Sequence, residues 1–510
     1  MPRTGRMNNG KNRRFATQQS LDGYIKGICD IMRRSNCAGA LQYVPELTWI
    51  LFLRILDERE TREAEMAEAV GAEYTPSLEA PYRWQDWAAP RGRKRIELQM
   101  GTLGAFSGFV NGDLIPHLHA LRDRPNATPR QKVLSEIFAG VERTRIDTER
   151  NLLDILDKVH DISAQTVDPT HVFTISQVYE GLLLKMGEKG NDGGQFFTPR
   201  PIIRVMVRVI DPRIGETVYD PGCGTAGFHA QSYEHMAGPN NAHITSPDQL
   251  ETLKRRTFFG REKDNAIYPI ALANLVLHGI DEPHIWHGNT LTGAETYGGL
   301  FTDAPTLYDV VLTNPPFGGK EGKEAQIRFA YKTGATQVLF LQHVIDSLKP
   351  GGRSGIVLDE GVLFRTNETA FVQTKRKLLN DCDLWCILSL PPGTFINAGA
   401  GVKTNLLFFT KGRPTERVWY YDLSGIKVGK KTPLTDAHFV EFLRLLPERA
   451  DSERSWTVSR EEIEARGFDL KAVNPNARVE EDTRTPEELL DLIEAKGREV
   501  AEALRVLRGR

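Results

Sequence analysis

The residues Asn314-Pro315-Pro316-Phe317 directly follow an apolar run, Tyr308–Thr313, with the composition of a buried strand. Two successive prolines keep the chain after Asn314 out of both helix and ladder, which leaves its oxygens available. One chemistry calls for such oxygens. The exocyclic amino nitrogen of a nucleobase is a poor nucleophile, because its lone pair is delocalised into the ring. If the Asn314 side-chain oxygen and the Pro315 carbonyl each accept one of its N–H groups, the nitrogen is drawn toward tetrahedral geometry. Its lone pair then faces a methyl donor. The positive charge that develops is stabilised by fixed dipoles, the logic of an oxyanion hole with the sign reversed. Phe317 adds a face on which a planar base can stack, worth ~1–3 kcal/mol. The bland alternative is a proline-rich loop with an incidental asparagine. It leaves four specified residues at a strand end unexplained.

A second cluster lies upstream. Thr217–Asp220 reads as a strand, and Pro221-Gly222-Cys223-Gly224-Thr225-Ala226-Gly227 follows it as a glycine-rich turn that opens a helix. Such glycines let backbone approach a ligand closely, and a helix N-terminus offers free N–H groups to an anion. Dinucleotides and S-adenosylmethionine are both held this way. The glycines do not have the GxGxxG spacing of dinucleotide folds, and the turn alone is compatible with no ligand at all. The next strand, Phe258–Glu262, ends in an acid placed to hold both hydroxyls of a ribose. The plain alternative is an exposed glutamate among Arg261, Lys263 and Asp264. Asn289, in His287-Gly288-Asn289-Thr290, ends a third candidate strand and could contact an adenine edge.

These residues need elements to position them. The chain has 510 residues, enough for two or three domains. Residues 1–20 are basic and free of acids and read as a flexible tail, with a phosphate-touching arm as the other reading. Residues 21–168 are helical in pattern: Leu152, Ile155, Leu156 and Val159 recur at helical spacing. From about Phe173 short apolar strands alternate with helices: Thr217–Asp220, Thr257–Gly260, Tyr308–Thr313, Gly355–Leu358, Leu384–Leu390 and Thr404–Thr410. That alternation predicts an α/β fold with a mostly parallel, Rossmann-like doubly wound sheet over 169–430. Residues 431–510 are expected to be helical again. Ser459 with Glu462 and Thr485 with Glu488 fit capping boxes, and Pro486 suits a first helical position. In the last helix Leu490, Ile493, Gly497, Val500, Leu504 and Leu507 form an interrupted a/d seam, too short for a free coiled coil and suited to a partner helix, in this chain or in another.

Composition narrows the class. Net charge is -2, whereas a protein that grips nucleic acid unaided usually shows a basic excess. The five cysteines, Cys29, Cys37, Cys223, Cys382 and Cys386, form no CxxC pair, which argues against both disulfides and a structural metal. No apolar run is long enough to span a bilayer and no leader-type stretch follows the basic start, so a cytoplasmic protein without membrane contact is expected.

The Asn-Pro-Pro-Phe block with its upstream glycine turn resembles the amino-group DNA methyltransferases. Gly194-Gln195-Phe196-Phe197-Thr198-Pro199-Arg200 sharpens the likeness: it is similar to the segment covering the methionine half of S-adenosylmethionine in modification subunits of type I restriction–modification systems. Leu390-Pro391-Pro392-Gly393-Thr394-Phe395 and Gly401-Val402-Lys403-Thr404-Asn405 match a family block near the target-base pocket. The resemblance covers most of residues 20–510 and implies N6-adenine methylation of duplex DNA. It assigns Gln195, Phe196, Phe197, Thr198, Pro199, Arg200, Asp220, Gly222, Gly224, Thr225, Ala226, Gly227, Glu262 and Asn289 to the cofactor S-adenosylmethionine. Asn314, Pro315, Pro316 and Phe317 fall to the adenine. Asn289 stands where an acid is usual and Ala226 where glycine is common.

The implied reaction is direct methyl transfer, without a covalent enzyme intermediate, to an adenine flipped from the duplex. The implied partners are a separate DNA specificity subunit and a second copy of this chain, in a complex of two modification subunits and one specificity subunit. A restriction subunit carrying motor and nuclease is a further partner the family offers. The C-terminal region is the candidate docking element. Two other activities share the site logic: a glutamine N5 protein methyltransferase, which usually has Tyr where Phe317 stands and lacks the Gln195–Arg200 block, and an RNA adenine methyltransferase.

Overall fold

The apolar runs pair into one ten-stranded sheet in the computed structural model, which describes residues 18–37, 40–69, 71–162, 198–395, 403–429, 432–471, 473–476 and 485–507. In chain order the strands are β1 Val218–Asp220, β2 Phe258–Glu262, β3 His284–Asn289, β4 Ala294–Tyr297, β5 Tyr308–Thr313, β6 Leu348–Asp359, β7 Cys382–Ser389, β8 Thr404–Lys411, β9 Arg417–Asp422 and β10 Ser455–Ser459. Across the sheet they lie in the order β10-β9-β7-β8-β6-β5-β1-β2-β3-β4. The central strands β3, β2, β1, β5 and β6 are parallel. β8 inserts antiparallel between β6 and β7, and β4 and β10 close the two edges antiparallel.

Both faces of the centre are buried, which is why these strands read as continuous apolar runs rather than alternating ones. Val310 and Leu312 of β5 join the core formed with helices Arg200–Ile210 and Ile267–Leu277. Val311, between them, joins the opposite core with helices Thr336–Ser347 and Thr369–Asp381. The chain winds outward from β1 through β2 to β3, then returns to lay β5 on the other side of β1. At this reversal the carboxyl ends of β1, β2, β3 and β5 border an open crevice, the usual place for a ligand.

The N-terminal unit is helical, with Gln18–Arg33, Ala40–Ala69, Pro129–Phe138 and Glu149–His160 as its longer elements. Leu152, Ile155, Leu156 and Val159 are all buried, as their spacing requires. An ion cluster fastens this unit to the sheet domain: Arg59 and Arg130 each reach Asp281 at 2.8 Å, and Arg130 also reaches Glu63 at 2.8 Å. Burial by itself would raise the Asp281 carboxyl; Arg59, Arg130 and Lys254 outweigh it and hold the group below the ordinary carboxylate range.

Three strands differ from expectation. β4 and β9 were not anticipated, and β10 lies within the stretch expected to be helical. β10 exists because it pairs antiparallel with β9, Trp456 opposite Tyr420, a long-range partnership that local pattern does not reveal. The sheet therefore runs past the boundary expected at residue 430. Both expected capping boxes form, at Ser459 with Glu462 and at Thr485 with Glu488. The helix Pro486–Leu507 buries none of its described side chains; Leu490, Ile493, Val500 and Leu504 are 61%, 67%, 59% and 43% exposed. The expected boundary at 168 and most of the basic tail lie outside the described residues.

Candidate active site

A cavity of about 320 Å³ opens at the carboxyl ends of β1, β2, β3 and β5. It gathers residues expected from separate stretches of sequence: Thr198, Arg200, Asp220, Gly222, Gly224, Thr225, Gly227, Glu262, Asn289, Asn314, Pro316 and Phe317. Pro199 and Ala226 do not line it, and Pro315 is buried directly between Asn314 and Pro316, which do. Gln195, Phe196 and Phe197 lie outside the described residues.

β1 delivers Asp220, whose Oδ1 accepts the Gly222 N–H at 3.1 Å. Its burial pushes the carboxyl up to about 7. Gly224 takes a left-handed conformation, φ 52°, which turns its N–H onto Glu262 Oε2 at 2.9 Å. The glycine turn of β1 and the acid of β2 are thus one unit. Gly227 packs so tightly that a Cβ there would meet Ile203 Cδ1 at 2.9 Å. Glu262 Oε1 accepts the Asp264 N–H at 2.8 Å, and burial raises this carboxyl to about 7 as well.

Ala226 is left-handed too, with φ 61° and ψ 32°. An L-residue with a Cβ pays about 1–2 kcal/mol for this conformation, and glycine gives back part of the gain through its freer unfolded chain. Ala226 is also fully buried, and loss of its methyl offsets much of the rest, so Ala226→Gly is expected to stabilise the protein by about 0.5 kcal/mol at most and raise Tm by about a degree or less. Differential scanning calorimetry checks this; a lowered Tm would contradict it.

β3 delivers Asn289, but its Oδ1 is turned back to accept the Leu291 and Thr292 N–H groups at 3.0 and 3.2 Å. Only the amide nitrogen remains for the expected adenine contact. The neighbouring Thr290, not anticipated from sequence, donates its hydroxyl to the Pro221 carbonyl at 2.6 Å and pins the glycine turn. Arg200 lines the cavity at the start of its helix. Burial lowers its guanidinium to about 10, so it still carries its charge at neutral pH.

β5 delivers Asn314. Its Nδ2 donates to Thr198 Oγ1 at 3.0 Å, while its Oδ1 is buried with no hydrogen-bond partner among the described residues. A buried acceptor without a donor costs roughly 1–3 kcal/mol, and here it belongs to a residue that lines the cavity. The Pro315 carbonyl accepts from Gln337 Nε2 at 3.3 Å. The half-buried Phe317 meets Phe395 edge-on, with ring centroids 5.0 Å apart, so the late Leu390–Phe395 block does reach the Asn-Pro-Pro-Phe loop. Cys223, Lys263, Glu321 and Phe340 also line the cavity without having been expected to. Phe340 lies on the Thr336–Ser347 helix, and nothing in the sequence marks which face of that helix turns inward.

Comparison with known proteins fits this geometry. The family model described as N-6 DNA Methylase matches residues 171–484, and the one described as HsdM N-terminal domain matches residues 21–159. The type I restriction enzyme EcoEI methylase subunit of Escherichia coli is 33% identical over 505 residues, covering 96% of this chain and 97% of that protein. The EcoKI methylase subunit of Escherichia coli K12 is 31% identical over 460 residues, covering 86% and 79%. The crystal structure of a type I modification subunit from Vibrio vulnificus YJ016 superposes with a TM-score of 0.79 at 32% identity, covering 91% of this chain and 99% of that one. A chain from a structural study of type I restriction–modification complex assembly gives a TM-score of 0.71 at 37% identity, covering 97% and 98%.

Proposed function

This chain belongs to the N-6 DNA methylase family, as a type I restriction enzyme methylase subunit that methylates adenine N6 in DNA, and we propose that the cavity at the sheet reversal is where that transfer takes place. The observation that carries the assignment is Asn314 Oδ1, buried and unpartnered among the described residues, at the edge of a cavity that also holds the glycine turn and Glu262.

S-adenosylmethionine supplies an electrophilic methyl group on a sulfonium sulfur, which departs as a neutral thioether. Glu262 accepts hydrogen bonds from ribose hydroxyls, and its ties to the Gly224 and Asp264 N–H groups hold it rigid while it does so. Arg200 offers the cavity a positive charge suited to a carboxylate. The flipped adenine stacks on Phe317, braced from the side by Phe395. Asn314 Oδ1 and the Pro315 carbonyl accept the two amino N–H groups. With the cofactor bound, the nitrogen lone pair would form the new N–C bond as the C–S bond breaks toward sulfur, and the methylated nitrogen would then release a proton to water. Thr198 accepts the Asn314 amide N–H and so keeps Oδ1, rather than the NH₂, toward the base.

The carboxyls give a pH signature. Asp220 and Glu262 each sit near 7 through burial. A protonated Glu262 loses half its accepting capacity toward hydroxyls. Cofactor Kd should therefore rise about tenfold between pH 8 and pH 6, read by calorimetric titration. A flat or opposite profile would contradict the role of Glu262. Stability of the cofactor-free protein follows the other sign: between the ordinary carboxylate range and about pH 7 the native state holds protons that the unfolded chain has released, so these two groups lower stability as pH rises through that window.

Sequence reading is delegated to a DNA specificity subunit, in keeping with a net charge of -2. We assign the docking to the exposed apolar seam of Pro486–Leu507, in a complex of two modification subunits and one specificity subunit, with a restriction subunit as an additional partner. The test is methyl-labelled S-adenosylmethionine offered to the complex with duplex DNA, RNA or protein. Label is expected in DNA alone. Label in protein glutamine or RNA would overturn the assignment.

A further inference from the structure

Gln337 is 2% exposed and reaches the site at a main-chain carbonyl. It is the second residue of the helix Thr336–Ser347. Its Oε1 accepts the Asp359 N–H at 2.8 Å, and its Nε2 donates to the Pro315 carbonyl at 3.3 Å. The Asp359 N–H can only donate, so it fixes which end of the amide faces which neighbour. Asp359 is itself anchored: it ends β6, pairs with Thr404 of β8, and its Oδ1 accepts the Val362 N–H at 3.1 Å. The next helix residue back, Thr336, donates its hydroxyl to Glu321 Oε1 at 2.8 Å, on the loop that leaves the Asn-Pro-Pro-Phe block.

Pro315 and Pro316 have no N–H groups, so no backbone donor within this pair can hold the loop in place. A carbonyl oxygen has two lone pairs. We propose that Gln337 is a positioning residue for methyl transfer: it occupies one lone pair of the Pro315 carbonyl and thereby aims the other at the target amino group. This rests on the assignment of the site given above.

The informative variant is Gln337→Glu. One glutamate oxygen still accepts from the Asp359 N–H, so the local fold keeps its tie. The other oxygen, when ionised, faces the Pro315 carbonyl and repels it; when protonated, it donates to that carbonyl as the amide did. Two charged groups are tied to this end of the helix: Asp359, which caps Val362, and Glu321, which takes the Thr336 hydroxyl; the other charges of the packed strand and helices, Lys349, Arg353, Asp346, Lys375, Lys377 and Asp381, are engaged elsewhere. Both are acids and favour the protonated glutamate. Single-turnover methylation at saturating S-adenosylmethionine, with cognate duplex and specificity subunit, should fall about tenfold or more at pH 8. Cofactor Kd should stay within about twofold of wild type measured at the same pH. Relative to wild type at each pH, the deficit should shrink toward pH 6. Gln337→Met, which cannot donate at any pH, should lose the same activity at both.

Wild-type rates in both variants would overturn the inference while leaving the site assignment intact. So would a Gln337→Glu deficit that does not change with pH, which would mark Gln337 as merely structural. Failure of the wild-type chain itself to methylate adenine would overturn the site assignment instead.

Discussion

Asn314→Ala should lower single-turnover methyl transfer by about three orders of magnitude while leaving cofactor affinity nearly unchanged. Removal of one preorganised group that stabilises developing charge costs about 10²–10³ in rate, and Asn314 also makes the contact to Thr198 that joins the start of the helix Arg200–Ile210 to the loop. Its Oδ1 has no partner among the described residues, so the native fold loses little when it goes. The effect should therefore appear in the chemical step rather than in stability. Asn314→Asp should retain part of the activity, because an acceptor oxygen remains and the Thr198 hydroxyl can reverse its role and donate. Rapid-quench measurement of methylated duplex decides. An alanine variant with more than a tenth of the wild-type rate would remove Asn314 from the mechanism.

Glu262→Ala should weaken S-adenosylmethionine binding about a hundredfold. Hydrogen bonds to charged acceptors contribute about 1.5–3 kcal/mol each. The substitution deletes the acceptors for the ribose and also frees the Gly224 N–H, which is held at 2.9 Å. The glycine turn thus loses its tether at the same time as the cofactor loses its acceptor. Glu262→Gln keeps one carbonyl oxygen and should fall between the two, and it should no longer show the loss of affinity between pH 8 and pH 6. Titration calorimetry reads both variants. Affinity within threefold of wild type in the alanine variant would place the ribose elsewhere.

The position of the candidate site was legible because parallel strands buried on both faces leave a plain signature, an apolar run that stops at a polar or charged residue. Asp220, Glu262, Asn289 and Asn314 all stand at such ends, and all four line one cavity. The edges of the sheet were not legible. β9 follows Lys411-Gly412-Arg413-Pro414, which looks like an exit from the core, yet Val418, Trp419, Tyr420 and Tyr421 are buried in it. β10 has only five residues and becomes a strand through its pairing with β9.

Within the site, residue type proved easier to read than direction. Asn289 has the expected position, but its oxygen is consumed by a local turn. Gln337 and Phe340 lie on a helix buried nearly all round, where no polar face shows which residues turn toward the crevice. Ala226 stands where glycine is common in the family the chain resembles, and the left-handed backbone there gives a physical reason for glycine at that place. The helix Pro486–Leu507 has the expected caps, and Leu490, Ile493, Val500 and Leu504 of its seam are exposed among the described residues.

The most direct test is nucleoside mass spectrometry of genomic DNA from a methylation-free host that expresses this chain with the specificity subunit of its own system. N6-methyladenine is expected with the wild-type chain and none with Asn314→Ala, both proteins being soluble and able to bind S-adenosylmethionine. A wild-type protein that binds the cofactor but leaves no N6-methyladenine, or that marks a different base, would contradict it.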